Sequence, residues 1–228
     1  MVKALFFDLS DTLQEFDWSK QWSLLQKIIK EETGLLVEID KLKQKYQQVY
    51  ESYRLHFIKS DSEFFDLFFR QLGLFVSKKQ IKKIVPRHLA IRKEFTWLPE
   101  KYDSTLMTLR KHFKLVIVSS GVFPWGHYDY EKIFGFKMQK HFDLLVTSYD
   151  YGYLKESGKL FEIALKKLSF PSSEAAFVGN SYVDDVLVAK NFGLKTVFLN
   201  KKKEGHKGDV TIQRLSDLAD KINELKKL

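Results

Sequence analysis

The spacing of apolar residues changes period twice along the chain. Ala4-Leu5-Phe6-Phe7 is an apolar run closed by Asp8, the pattern of a short strand buried on both faces. From about residue 15 to 95 the period is helical. Trp18, Trp22, Leu25 and Ile29 recur at intervals of 4, 3 and 4, and Leu42, Tyr46, Val49 and Tyr53 repeat that spacing. Phe64, Phe65, Phe68, Phe69 and Leu72 make a third stripe, and Ile81, Ile84, Val85 and Leu89 a fourth. Each stripe predicts the buried face of an amphipathic helix. Breaks are expected at Thr33-Gly34, Ser60-Asp61-Ser62, Gly73 and Pro86. After Pro99 the rhythm becomes strand–helix alternation. Apolar runs at 115–118, 144–147, 175–178 and 196–199 are separated by helical stretches near 101–112, 158–168 and 182–191, with a last one at 215–227. Such alternation predicts a parallel sheet covered on both faces. The expected fold class is α/β, a doubly wound parallel sheet with an inserted α-helical bundle cap. The core would be residues 1–13 and 98–228 and the cap 14–97.

Composition narrows the function classes. With 228 residues, the chain has room for one large domain or a domain with an inserted module. It contains no cysteine, which excludes disulfides, cysteine zinc sites and a thiol nucleophile. No apolar run reaches 18 residues, so no membrane span is expected. The N-terminus lacks the apolar region of a signal peptide, and the expectation is a cytoplasmic protein. The net charge of +9 favours anionic partners without choosing among phosphorylated metabolites, nucleic acid and membrane surfaces. Residues 78–93 carry many bases and no acid. They are expected to form a helix with lysines toward water. The aromatics sit at core spacing, which argues against a stacking platform for nucleic acid.

Candidate chemistry lies at the strand ends, because doubly wound sheets bind ligands beyond the carboxyl ends of their strands. The first strand is followed by Asp8-Leu9-Ser10-Asp11-Thr12-Leu13, the second by Ser119-Ser120-Gly121. Lys155 follows the third, and Gly179-Asn180-Ser181 with Asp184-Asp185 the fourth. An attacking carboxylate, hydroxyl donors and an ammonium are what phosphoryl transfer to an enzyme carboxylate requires.

These segments, in this order, resemble the motifs of the haloacid dehalogenase superfamily over essentially the whole chain. Phe6-Phe7-Asp8-Leu9-Ser10-Asp11-Thr12-Leu13 is similar to the first motif, Val118-Ser119-Ser120-Gly121 to the second, and Lys155 to the third. Val178-Gly179-Asn180-Ser181-Tyr182-Val183-Asp184-Asp185 is similar to the fourth. The resemblance implies a Rossmann-like core with a helical cap and a hydrolase acting on a small phosphorylated compound. Asp8 would be the nucleophile and Lys155 the neutralising cation, with Thr12, Ser119 and Ser120 holding the phosphoryl oxygens. Magnesium would be held through Asp8, the backbone carbonyl of residue 10 and the acid position of motif four, which places Ser10, Asn180 and Asp185 in the expected metal set. All these residues would meet in one cleft between core and cap. Trp18, Trp22, His127 and Tyr128 could also line it.

Two positions depart from the pattern. Ser10 stands where the phosphatases carry a second acid, which protonates the leaving oxygen and is worth roughly 10²–10⁴-fold. Asn180 stands where motif four carries a metal-binding acid. Three readings follow: an active phosphatase tolerating both changes, a weakened relative that binds a phosphorylated ligand or a protein, or a metal-independent dehalogenase-like hydrolase. The dehalogenases carry an early cap arginine and a tyrosine six residues after the lysine. Here residues 14–50 lack arginine and the second position is Phe161.

Overall fold

The computed structural model describes residues 1–55, 57, 58, 60–120 and 138–228. His127 and Tyr128 lie outside the described residues. One compact unit comprises Met1–Glu15 together with the described residues from Trp97 onward; the other is Phe16–Thr96.

The first unit is built on a six-stranded sheet in which every pairing is parallel. Its strands are β1 (Ala4–Phe7), β4 (Lys114–Ser119), β5 (Leu144–Thr147), β6 (Ala175–Gly179), β7 (Lys195–Leu199) and β8 (Val210–Ile212). The short β2 (Glu15–Phe16) and β3 (Thr96–Trp97) pair separately. In the order β5-β4-β1-β6-β7-β8 the winding reverses between β1 and β6. That is the switch point at which such sheets bind ligands. Runs of apolar residues formed these strands because both faces are covered. Phe6, Val116, Val118 and Phe177 pack against Leu160, Phe161 and Ala164 of the helix Lys159–Leu168. Each strand predicted after Pro99 is present. β8 was not expected: it has only three residues, with Thr211 between two apolar ones.

The second unit contains α1 (Trp18–Thr33), α2 (Ile39–Arg54), α3 (Asp61–Gln71) and α4 (Lys78–Glu94). Gly34, in the left-handed region at φ 73°, ends α1, and Ser60 caps α3 by accepting the Glu63 N–H. The expected break at Pro86 does not occur, and α4 runs through it. A proline inside a helix costs about 3 kcal/mol or more. Here a Ser77–Gln80 capping box holds one side of it, and the buried Ile81, Ile84, His88 and Ile91 hold both. Arg87, next to the proline, ties α4 to Glu31 and Glu32 of α1. The core is aromatic: Tyr46 lies 4.8 Å from Phe64 and 5.3 Å from Trp22, ring to ring. Trp22 therefore packs inside the helical unit. Among the described residues no helix is long and apolar enough to cross a membrane.

His88 is buried beside the Phe65 ring, with the Tyr46 hydroxyl 3.5 Å from its Nε2. Burial, then the charge of Arg92, lowers its pKa to about 3. An unfolded histidine titrates near 6.5. Between those values the unfolded chain binds a proton that the folded chain refuses. Stability from this group is therefore complete above about pH 6.5 and falls as the pH drops. Between pH 7.5 and 5 the loss is about 2 kcal/mol. His88→Leu should remove that loss, read as the difference in urea-unfolding free energy between the two pH values. Equal losses in wild type and variant would assign the effect elsewhere.

Candidate active site

The sequence after β1 turns back at once. The Leu9 carbonyl accepts the N–H groups of Thr12, Leu13 and Gln14, at 3.3, 2.9 and 3.1 Å. Asp11 takes the left-handed conformation at φ 59°, which Asp tolerates better than most side chains. The turn leaves Asp8 at the strand end, 7% exposed, and buries Thr12 completely. Ser10 is exposed. The Thr12 hydroxyl donates to Asn180 Oδ1 at 2.9 Å, tying the loop after β1 to the loop after β6.

Lys155 is buried at 5% exposure, and its ammonium bridges two buried carboxylates. Nζ donates to Asp8 Oδ1 at 2.6 Å and also to Asp185 Oδ1. The lysine is placed by a 3₁₀ turn, Lys155–Ser157, whose first N–H donates to Ser120 Oγ at 2.7 Å. Ser120 in turn donates to Glu156 at 3.4 Å. Its hydroxyl is thus a strut between β4 and the lysine loop. Ser119, 2% exposed, ends β4 directly beside β1. Gly158 follows the lysine turn at φ 72°, and a Cβ there would lie 1.8 Å from the Phe192 ring.

Asp185 sits in a π-helical segment, Tyr182–Leu187, capped by Ser181. Its Oδ2 accepts the Ser181 N–H at 2.9 Å, so both oxygens are engaged within the protein. Asp184 only closes the cap, accepting the Ser181 hydroxyl at 2.9 Å. The sequence reading placed Gly179 and Ser181 in the fourth segment without giving either a role, and it did not single out Gln14. Gln14 is buried, with Oε1 lacking a hydrogen-bond partner among the described residues. No spacing signal marks the contacts that these residues make.

The electrostatics follow from burial. Desolvation raises the Asp8 pKa to about 6; the Lys155 charge opposes that rise and the Asp185 charge adds to it. For Lys155, burial alone would lower the pKa, yet the attraction of Asp185 and Asp8 holds it above the ordinary lysine value. The trio carries one net negative charge when ionised.

The expected Mg²⁺ donors carry less negative charge than the phosphatase pattern supplies. Mg²⁺ is usually held by one or two carboxylates together with waters and substrate phosphate. Of the four residues expected to hold the metal, Ser10 would offer its backbone carbonyl, and Asn180 brings a neutral amide. Asn180 Oδ1 already accepts from Thr12, and both Asp185 oxygens are taken. Asp8 and Asp185 are the charged donors, and Lys155 engages one oxygen of each. Among the described residues no cluster of three acidic or histidine side chains could hold a metal ion.

A buried carboxylate–ammonium–carboxylate centre at the switch point of a doubly wound sheet is the build of an α/β enzyme. The chain belongs to the haloacid dehalogenase-like hydrolases, whose family model matches residues 2–193. It is 27% identical, over all of both chains, to a glyceraldehyde 3-phosphate phosphatase of Methanothermobacter thermautotrophicus. Its fold resembles a 2-haloacid dehalogenase of Pseudomonas syringae, with a TM-score of 0.74, 20% identity and coverage of 98% of this chain and 99% of the other. It also resembles a family enzyme of Bacteroides thetaiotaomicron solved with magnesium and inorganic phosphate. There the TM-score is 0.67 and the identity 20%, over 90% of this chain and 98% of the other.

Gly179 tests how tightly this centre is built. A Cβ at that position would meet the Asp185 side chain at 2.4 Å. Gly179→Ala should therefore cost about 1–3 kcal/mol of stability, the usual price of overpacking a buried site. Denaturant unfolding measures it, and an undisturbed midpoint would show that Asp185 can move aside freely.

Proposed function

We propose that this hydrolase is a phosphatase of small phosphorylated compounds, working through Asp8. The observation that carries the reading is the Lys155 ammonium held 2.6 Å from the Asp8 carboxylate. That cation lets a carboxylate stay ionised in a buried place and lessens its repulsion of an incoming phosphoryl group. Asp8 attacks phosphorus, the P–O bond to the alcohol breaks, and an aspartyl-phosphate forms that water then hydrolyses. The Ser119 hydroxyl donates to the phosphoryl oxygens, and the Thr12 hydroxyl does so once it releases Asn180 Oδ1. Asp185 is a positioning residue, acting through Lys155, and residues 14–97 serve as a substrate cap. The name of the archaeal phosphatase supports a small phosphorylated metabolite as substrate. Phe161 favours this reading over dehalogenation: it has no hydroxyl and is buried against Phe177 and Phe192, at ring distances of 5.2 and 6.0 Å.

Position 10 limits the rate. A serine hydroxyl neither holds nor releases a proton usefully near neutral pH, so the leaving oxygen departs without an acid. The test is turnover of an alkyl phosphate, glycerol 3-phosphate, whose alkoxide leaving group needs a proton, across a Mg²⁺ titration. Asp8→Asn should abolish activity, because an amide oxygen is too weak a nucleophile. Ser10→Asp should raise turnover by roughly tenfold or more, less than the full general-acid effect because the surroundings are not tuned to it. Asn180→Asp should tighten Mg²⁺ binding in calorimetry by adding a carboxylate. Full activity in Asp8→Asn would sink the reading. If no variant gained, the weakened, ligand-binding relative would take its place.

A further inference from the structure

The loop after β1 carries a buried side chain that neither the ion pair nor the turn uses. Gln14 is 6% exposed, and its Oε1 has no hydrogen-bond partner among the described residues. Leaving a buried amide oxygen unpaired costs about 1–3 kcal/mol. In native proteins such a group marks a bound water, a ligand or a catalytic role.

The backbone fixes where Gln14 stands. Its N–H donates to the carbonyl of Leu9, the residue next to Asp8, and Gln14 forms a parallel bridge with Ser10. Bridged residues project their side chains from the same side of the backbone. At a bridge spacing of about 4.8 Å and a rise of about 3.3 Å per residue, Gln14 and Asp8 lie about 8 Å apart, Cα to Cα. Their side chains, with a phosphoryl group and a water between them, span that separation. Position 10 is where the phosphatase pattern puts the acid that protonates the leaving oxygen. That oxygen departs in line with the Asp8 carboxylate, on the far side of phosphorus, and the hydrolytic water enters from the same side. Gln14 is therefore the neighbour of the position that water must pass.

Ser10 supplies no base for this water. An amide oxygen takes no proton at neutral pH, but it accepts a hydrogen bond. It can hold one O–H of the water so that a lone pair faces phosphorus, as glutamine does for the attacking water in GTP hydrolysis. We propose that Gln14 Oε1 holds the water that hydrolyses the aspartyl-phosphate. The proposal rests on the phosphatase reading and adds the side chain that serves its second half. The water oxygen bonds to phosphorus, and the P–O bond to Asp8 breaks with its electron pair returning to the carboxylate. Both water protons leave on the product, dihydrogen phosphate. Gln14 neither gains nor loses a proton.

The experiment uses p-nitrophenyl phosphate with Mg²⁺, because its phenolate leaves without a proton and the second half of the reaction is exposed. Stopped-flow separates the burst of p-nitrophenolate from the steady phase, and acid quenching during turnover traps the aspartyl-phosphate. Gln14→Met, of similar length and unable to accept strongly, should keep the burst rate within about twofold and lower the rate of intermediate breakdown about tenfold, the worth of one hydrogen bond. The variant then shows a slower steady phase or more trapped intermediate than wild type. Its urea midpoint should hold or rise, since an unpaired amide is removed and no bond is lost. Gln14→Glu keeps an accepting oxygen and should retain the wild-type steady phase. An unchanged steady phase with no added intermediate in Gln14→Met overturns the proposal. So does an equal loss from burst and steady phase with a lowered midpoint, the mark of a structural role. If wild type releases no p-nitrophenolate, the phosphatase reading itself fails and this proposal goes with it.

Discussion

The structure turns on one buried cation. Lys155 and the carboxylates of Asp8 and Asp185 come from distant parts of the chain, and none is tolerable alone where it lies. Removing one partner of a buried ion pair typically costs about 3–5 kcal/mol, because the charge left behind is uncompensated. Much of the local architecture reads as support for that contact. Ser120 fixes the backbone of the lysine, Ser181 holds the second oxygen of Asp185, and Gly179 leaves room for its carbon. The sheet order brings the ends of β1 and β6 side by side so that the three groups can meet.

Away from that ionic contact, the loops after β1 and β6 are joined by a neutral bond. Thr12 donates to Asn180, an amide. With Ser10 also uncharged, the rim holds fewer negative charges than the phosphatase pattern supplies. That makes it easier for a phosphate dianion to approach and harder for a divalent cation to stay. The substitutions at positions 10 and 180 thus act in one electrostatic direction.

Most of the fold was legible because burial on both faces writes itself as apolar runs of four, as at Leu115–Val118. What escaped lacks that signature. β8 is too short to show a period, and Pro86 carries a breaking signal that tertiary contacts of α4 override. In the site, Asp8 was legible from its place after a strand. Lys155 was legible only through the order of the motifs, being one among many lysines. The use of the Ser120 hydroxyl as a strut, and the contact between Gly179 and Asp185, depend on where atoms meet in space. No spacing along a chain encodes that.

The insertion after β1 also affects how the chain acquires its structure. Ala4 pairs with Lys114 on one side and Ala175 on the other. The first strand therefore has no partner until about a hundred further residues have been made, some 5–20 s at ordinary translation rates. Meanwhile Ala4-Leu5-Phe6-Phe7 is an unpaired apolar strand, the kind of segment that associates with other chains. The helical segment emerges in that interval, and its contacts are mostly among neighbours in sequence, which form quickly. The strand that carries Asp8 is thus made early and secured late, and the yield of folded protein depends on keeping it unengaged until β4 and β6 arrive.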